Sequence, residues 1–309
     1  MKVGTSTTSC TRPRAQALAV RLADRLRRLS SGPDGGAAAN ALTADYNAEM
    51  VEQVARYPRL RDRSVFVGDP DDVVADPLGP GLPDVRAWTE AHFDFAGYVS
   101  GFDPPTDREA LRAELGYRPG KRVIVVTVGG SGGGGHLLNR VVQAFPAAAT
   151  RVPGLRMVVV AGPRIDPASV SVPAGVTVRG YVPDLHRELA ACDLAVVQGG
   201  LTTTMELVAA RRPFLYFPLA RHFEQQIHVP RRLRRHRAGR RMDYARTDPD
   251  GLADAIIEEL DRKVDYRPVP TDGARRAAAL LSELLQLGPH TTGGRNGYVR
   301  HRPVATDCL

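Results

Sequence analysis

The chain has 309 residues, 43% of them hydrophobic, enough for two modest domains and a sizeable core. Its apolar runs stop at strand length, which argues against a membrane-spanning helix, and the start MKVGTSTTSC lacks the apolar core of a signal peptide. Net charge is +8; three cysteines (Cys10, Cys192, Cys308) without metal-type spacing argue against zinc and disulfides and for a reducing, cytoplasmic setting.

Residues 1–45 are rich in Arg, Ala, Ser, Thr and Gly, with one helix expected at Ala15–Leu29. A helix near Ala48–Ala55, a strand-like Ser64–Val67, a Pro/Gly/Asp-rich loop, a helix near Val85–His92 and a strand-like Phe95–Val99 follow. So few strands make residues 1–100 an incomplete N-terminal region, not an independent Rossmann unit. Gly101–Thr106 (GFDPPT) reads as a linker, and 288–309, polar with Gly, Pro and Thr, as a disordered tail.

The pattern becomes regular from Arg122 onward. Apolar runs at Val123–Val128, Leu155–Ala161, Val176–Arg179, Leu194–Val197 and Phe214–Phe217 alternate with helical segments near Leu137–Ala149, Leu185–Ala191, Thr203–Ala210 and Glu224–Arg235. A short run at Gly239–Tyr244 precedes a helix over Pro249–Glu259. Strands apolar on both faces and joined by helices predict an α/β domain over 107–287, a doubly wound parallel sheet. Such sheets bind ligands at the carboxyl ends of their strands.

Two glycine-rich turns fall at that edge. The first, Gly129-Gly130-Ser131-Gly132-Gly133-Gly134-Gly135-His136, lacks the Lys and Ser/Thr ending of a P-loop. No acid stands about 20 residues on, which disfavours a nicotinamide dinucleotide. The second, Gln198-Gly199-Gly200-Leu201-Thr202-Thr203-Thr204-Met205-Glu206, lets backbone approach a phosphate and offers a helix N-terminus to it. Glu206, about one turn into that helix, suits a ribose diol. After the next strand come Pro218, then Glu224 and Gln225, an acid and an amide able to bond several hydroxyls at once.

Ten arginines and one acid, Glu224, occupy Arg211–Arg241. With 6% aromatics and no reader motif, nucleic acid is a poor partner for that charge. The alternatives are a solvated helix face, buried through Val229 and Leu233 at i, i+4, or an anionic substrate, lipid or membrane surface met by Arg231, Arg232, Arg234 and Arg235. The second would place the protein peripherally at a membrane.

Gly199–Glu206, Pro218 and Glu224-Gln225 together resemble the donor half of the GT-B glycosyltransferases. Gly129-Gly130-Ser131-Gly132 is similar to the glycine loop in the C-terminal domain of the lipid-linked N-acetylglucosaminyltransferase of peptidoglycan synthesis. The resemblance covers about residues 100–285. It implies that Glu206 holds the ribose of a UDP-sugar and that Thr202 and Thr203, with the amides after Gly200, hold the pyrophosphate. It further implies that Glu224 and Gln225 hold the sugar and that Val182, in Gly180-Tyr181-Val182-Pro183, offers backbone to the uracil. Two departures stand out: Gln198 where relatives have His before the glycines, and His228 where Asn is common.

His136 could belong to an acceptor-side loop of the same family, but 75 residues separate Ser131 from Glu206, too few for two domains in series. His136 is therefore a helix-start residue on the donor side and a possible phosphate contact. The resemblance also implies an acceptor domain at the N-terminus, on the order of 150 residues. Residues 1–100 fall short of that, so truncation or a partner supplying the acceptor half is expected. The catalytic base is unassigned; Asp45, Glu49 and Asp94 are the acids to test. The expected activity is transfer of a hexose or N-acetylhexosamine from a nucleotide-diphosphate sugar to an unknown acceptor, without metal or cofactor. A GT-B sugar-nucleotide epimerase and a non-catalytic donor-binding subunit are the alternatives.

Overall fold

The structure, a computed structural model, describes residues 37–57, 63–100, 103–130, 133–220, 222 and 224–286. The helix expected at Ala15–Leu29 and the tail at 288–309 lie outside them, as do Ser131 and Gly132.

The N-terminal region runs α1 (Ala37–Arg56), β1 (Val65–Val67), α2 (Val85–His92) and β2 (Asp94–Gly97). Helix α1 starts well before the apolar stretch at 48–55 that predicted it, and its last turn ends on Arg56, which suits the helix dipole. Asp84 caps α2 by accepting from Ala87 N–H. The strands pair in parallel, Val65 opposite Asp94 and Phe66 opposite Phe95. Met50, Val73, Val74, Leu78, Val85 and Trp88 form a small core beneath them.

The second region is a six-stranded, all-parallel sheet of β3 (Val123–Thr127), β4 (Arg156–Val160), β5 (Val176–Arg179), β6 (Leu194–Val197), β7 (Phe214–Tyr216) and β8 (Arg240–Arg241). Its order is β5-β4-β3-β6-β7-β8, the doubly wound arrangement whose switch point lies between β3 and β6. Every residue of β3 and β6 is buried, as a sheet covered on both faces requires. Ile124 and Val126 face a core shared with α4 (Gly135–Arg151) and α8 (Pro249–Leu260). Val123 and Val125 face the other core, with α5 (Leu185–Ala191), α6 (Leu201–Ala209) and α7 (Val229–His236). Val229 and Leu233 are buried there, as their i, i+4 spacing predicts.

Two helices add to the elements expected from the sequence. Helix α3 (Arg108–Glu114) follows the expected linker and is held by ion pairs: Arg108 and Arg112 meet Asp193 at 2.7 and 3.1 Å, while Asp193 also accepts from Val123 N–H. These bonds close the amino edge of the sheet. Helix α9 (Gly273–Gln286) returns to the N-terminal region, where Arg63 binds its Leu280 carbonyl and its Glu283 carboxylate.

Candidate functional site

The two glycine turns spring from neighbouring strand ends. Thr127 of β3 is in register with Val197 of β6, and each is followed two residues later by a glycine in the left-handed region: Gly129 at φ 72° and Gly199 at φ 92°. Only glycine adopts that backbone without strain. A Cβ on Gly129, Gly130 or Gly200 would meet open space, so these backbones are bare on the outer side. Gly134 serves packing instead. A Cβ there would collide with the Val128 side chain, so glycine is needed for α4 to start against β3.

Helix α6 begins on Gly200, which provides no side-chain cap. Its first internal hydrogen bond runs from Thr204 N–H to Gly200 O at 3.1 Å. The N–H groups of Leu201, Thr202 and Thr203 precede that bond and have no partner within the helix, which leaves them open to an acceptor. The threonines divide sharply. Thr204 is fully buried, its hydroxyl donating to Gly200 O and Leu201 O, whereas Thr202 is exposed and Thr203 half-buried. Gln198 is buried at the turn itself.

Glu206 opens into a narrow cleft of about 40 Å³ with Thr202, Met205 and Ala209 on its own side. The opposite wall is Val67, Tyr98 and Val99 of the N-terminal region, and Val269–Thr271 closes one side. Burial among these groups pushes the Glu206 carboxyl up to about 7. The cleft thus lies between the carboxyl ends of β1 and β2 and the flank of α6. Sequence reasoning missed Val67, Tyr98 and Val269, because only the tertiary fold brings them opposite α6.

The loop after β7 carries Glu224 and Gln225. Glu224–His228 is a π-helical turn that runs into α7, a form found often at functional sites. Glu224 is half-buried. Gln225 is buried with its Oε1 accepting from Leu219 N–H at 2.9 Å, which leaves its amide group as the part able to meet a ligand. Val182 is half-buried against the core beside β5, next to the exposed Tyr181. His136 is exposed on the first turn of α4.

The structure corrects the basic patch. Arg231, Arg232, Arg234 and Arg235 do not form one surface. Arg232 and Arg235 turn inward to the N-terminal region, where Asp72 is almost completely buried. Arg235 donates to Asp72 Oδ1 at 2.9 Å and to Asp69 at 3.1 Å. Arg232 donates to Val67 O at 2.9 Å and stacks over the rings of Phe66 and Tyr98. The Tyr98 hydroxyl donates to Asp72 at 2.7 Å and lies 3.2 Å from His236, whose pKa burial lowers. Arg234 alone of the four is exposed.

The acids named as candidate bases lie elsewhere. Asp94 is paired with Arg63 at 2.7 Å, Glu49 accepts from Gln53, and Asp45 is exposed on α1; none lines the Glu206 cleft. Among the described residues no group of His, Cys, Asp and Glu is placed to hold a metal ion, and no helix is long and apolar enough to cross a membrane.

A family model described as glycosyltransferase family 28 C-terminal domain matches residues 123–282, just over half of the chain. An uncharacterised glycosyltransferase of Methanopyrus kandleri is 28% identical over 183 residues, covering 59% of this chain and 50% of that protein. The chain therefore spans about half the length of that relative. Among solved structures, the glycotransferase of kitacinnamycin is similar with a TM-score of 0.49 at 20% identity, over 89% of this chain and 64% of that one. MurG of Acinetobacter baumannii gives 0.48 at 14% identity, over 78% and 77%.

Proposed function

Because the chain belongs to the family described as glycosyltransferase family 28 C-terminal domain, we propose that it binds a UDP-linked sugar at the carboxyl edge of its six-stranded sheet and transfers the hexose or N-acetylhexosamine to an acceptor. The observation that carries this reading is the paired glycine turns at the switch point, beside the open start of α6. Gly129, Gly130, Ser131 and Gly132 would face the diphosphate together with Gln198, Gly199, Gly200, Thr202 and Thr203. Glu206 would accept from the ribose hydroxyls, Val182 would meet the base, and Glu224 with the Gln225 amide would hold the sugar.

The reaction is a single displacement at the anomeric carbon. The acceptor oxygen forms a bond to that carbon as the bond to the departing diphosphate breaks, and the acceptor hydroxyl gives up its proton to a general base of this chain or of a partner. Negative charge grows on the leaving oxygens. The N–H groups at the start of α6 and the bare glycine backbone stabilise it in the place a metal would otherwise take.

A second reading is a donor-binding subunit that turns over only with a partner. It is favoured by the position of the three candidate bases, all outside the cleft. A saturation-transfer NMR screen of nucleotide sugars, followed by turnover with and without hydroxylated acceptors, separates the readings. Binding with slow hydrolysis and no transfer supports the subunit. Conversion of the sugar nucleotide itself, with no acceptor, would identify an epimerase. Absence of any nucleotide binding contradicts all three.

A further inference from the structure

Two neighbouring glutamines of the π-helical turn are tied to the same short loop. Gln225 Oε1 accepts from Leu219 N–H, while Gln226 Nε2 donates to the carbonyls of Leu219 at 2.9 Å and Pro218 at 3.3 Å. The other end of the Gln226 amide accepts from Arg241 of β8 at 2.5 Å. Arg241 is opposite Tyr216 in the β7–β8 register, so the bridge spans the base of the loop from the neighbouring strand. Backbone bonds complete the knot: His222 N–H donates to Leu219 O, and Gln226 N–H to His222 O.

An amide is a neutral side chain that both donates and accepts through a single planar head. Gln226 uses both functions, donating to two loop carbonyls and receiving from a guanidinium. A glutamate could keep Arg241 but would set a carboxylate against those carbonyls. A leucine would keep the bulk and lose every bond. Glu224 stands two residues earlier on the same turn, so its place relative to the sheet edge depends on how this loop is held.

We infer that Gln226, oriented by Arg241, is a positioning residue that fixes the Pro218–Leu219 loop and the adjacent Glu224, and so sets selectivity for the donor sugar. The inference rests on the sugar-nucleotide reading of the same edge. Gln226 acts through the loop and not on the nucleotide, so its loss should separate recognition of the sugar from recognition of the diphosphate.

The test uses the full chain with UDP, UDP-glucose and UDP-N-acetylglucosamine as probes, titrated by calorimetry. For the sugar nucleotide that the wild type binds more tightly, Gln226→Leu should weaken binding about tenfold, the scale of one or two lost hydrogen bonds, while UDP changes less than twofold. The wild-type preference between the two sugars should shrink with it. Gln226→Glu should fall between Leu and wild type. Arg241→Gln, at an exposed edge position that cannot unfold the core, should shift the sugar nucleotide in the same direction by a smaller factor. Equal losses for UDP and its sugar conjugate, or unchanged sugar binding in Arg241→Gln together with folded Gln226→Leu, would overturn the positioning role. A wild type that binds none of the three probes would overturn the reading beneath it, a distinguishable result.

Discussion

At the seam between the two regions, charged heads withdrawn from water meet opposite charges or aromatic faces: Asp72 against Arg232, Arg235 and Tyr98. At the carboxyl edge of the larger sheet, the polar groups are arranged the other way. Gly129, Gly130 and Gly200 leave backbone bare, α6 starts without a side-chain cap, and Glu206 stands half-buried in its cleft. Both places are rich in groups that could bind an anion or a sugar. The difference is whether the protein has already paired the charges: Asp72 meets two guanidiniums and a phenol at the seam, although Arg232 Nε and Nη1 have no hydrogen-bond partner there. Paired charges stabilise a boundary, and unpaired backbone donors are available to a ligand.

The comparison is broken most forcefully at Asp72. Asp72→Ala leaves two inward-turned guanidiniums without their counter-charge and should cost about 3–5 kcal/mol of stability, read from chemical denaturation. A loss below about 1 kcal/mol would mean that water reaches the seam and that Arg232 and Arg235 are surface residues after all.

Glu206→Ala should do the opposite. It should weaken UDP binding by roughly 1.5–3 kcal/mol, because charge-assisted bonds to the ribose are lost. Stability at neutral pH should hold or rise, since a carboxylate that burial disfavours is removed and alanine suits a helix interior. Calorimetry and thermal melts on one preparation would check both halves; unchanged UDP affinity contradicts the ribose assignment.

The Glu206 carboxyl also sharpens the contrast through pH. Its folded pKa of about 7 exceeds the ordinary 4.5, so between these values the folded chain holds a proton that the unfolded chain has released. Stability should therefore decline as pH rises through 4.5–7 and flatten above 7, by about 2 kcal/mol. UDP affinity should rise over the same window, because binding favours the carboxylate. In Glu206→Gln both slopes should lose this component.

The smallest effect belongs to Arg234→Gln. This exposed side chain should change stability by no more than about 0.5 kcal/mol, whereas Arg235→Gln, one residue on, should destabilise measurably. Similar effects from both would mean that the helix face is uniform, as composition alone suggested.

Much of the larger sheet was legible in the sequence. Val176–Arg179, Leu194–Val197 and Leu185–Ala191 form the elements expected of them, and Leu194–Val197 is apolar throughout because that central strand is buried on both faces. The glycine turns were legible for a similar local reason: a tight strand-to-helix crossover and a bare backbone both demand glycine. The seam was not. Arg232 and Arg235 read as surface charge until Asp69 and Asp72, more than 160 residues earlier, are brought against them. Helix α3 was not legible because its anchor is Asp193, in the connection before β6, and its seven residues carry no strong apolar stripe. Gln225 and Thr204 show the limit of motif reading. Their side-chain types suit a ligand, yet Thr204 is spent on its own helix and half of the Gln225 amide on the loop beside it.

The central claim is that the open polar groups at the switch point form a nucleotide-diphosphate site. Amide hydrogen exchange with and without saturating UDP tests it most directly, because it reads the backbone that is proposed to bind. The account predicts slowed exchange at Gly129, Gly130 and Leu201–Thr203, with the seam around Asp72 unchanged. Protection confined to another surface, or none at a UDP concentration shown by calorimetry to saturate the chain, would contradict it.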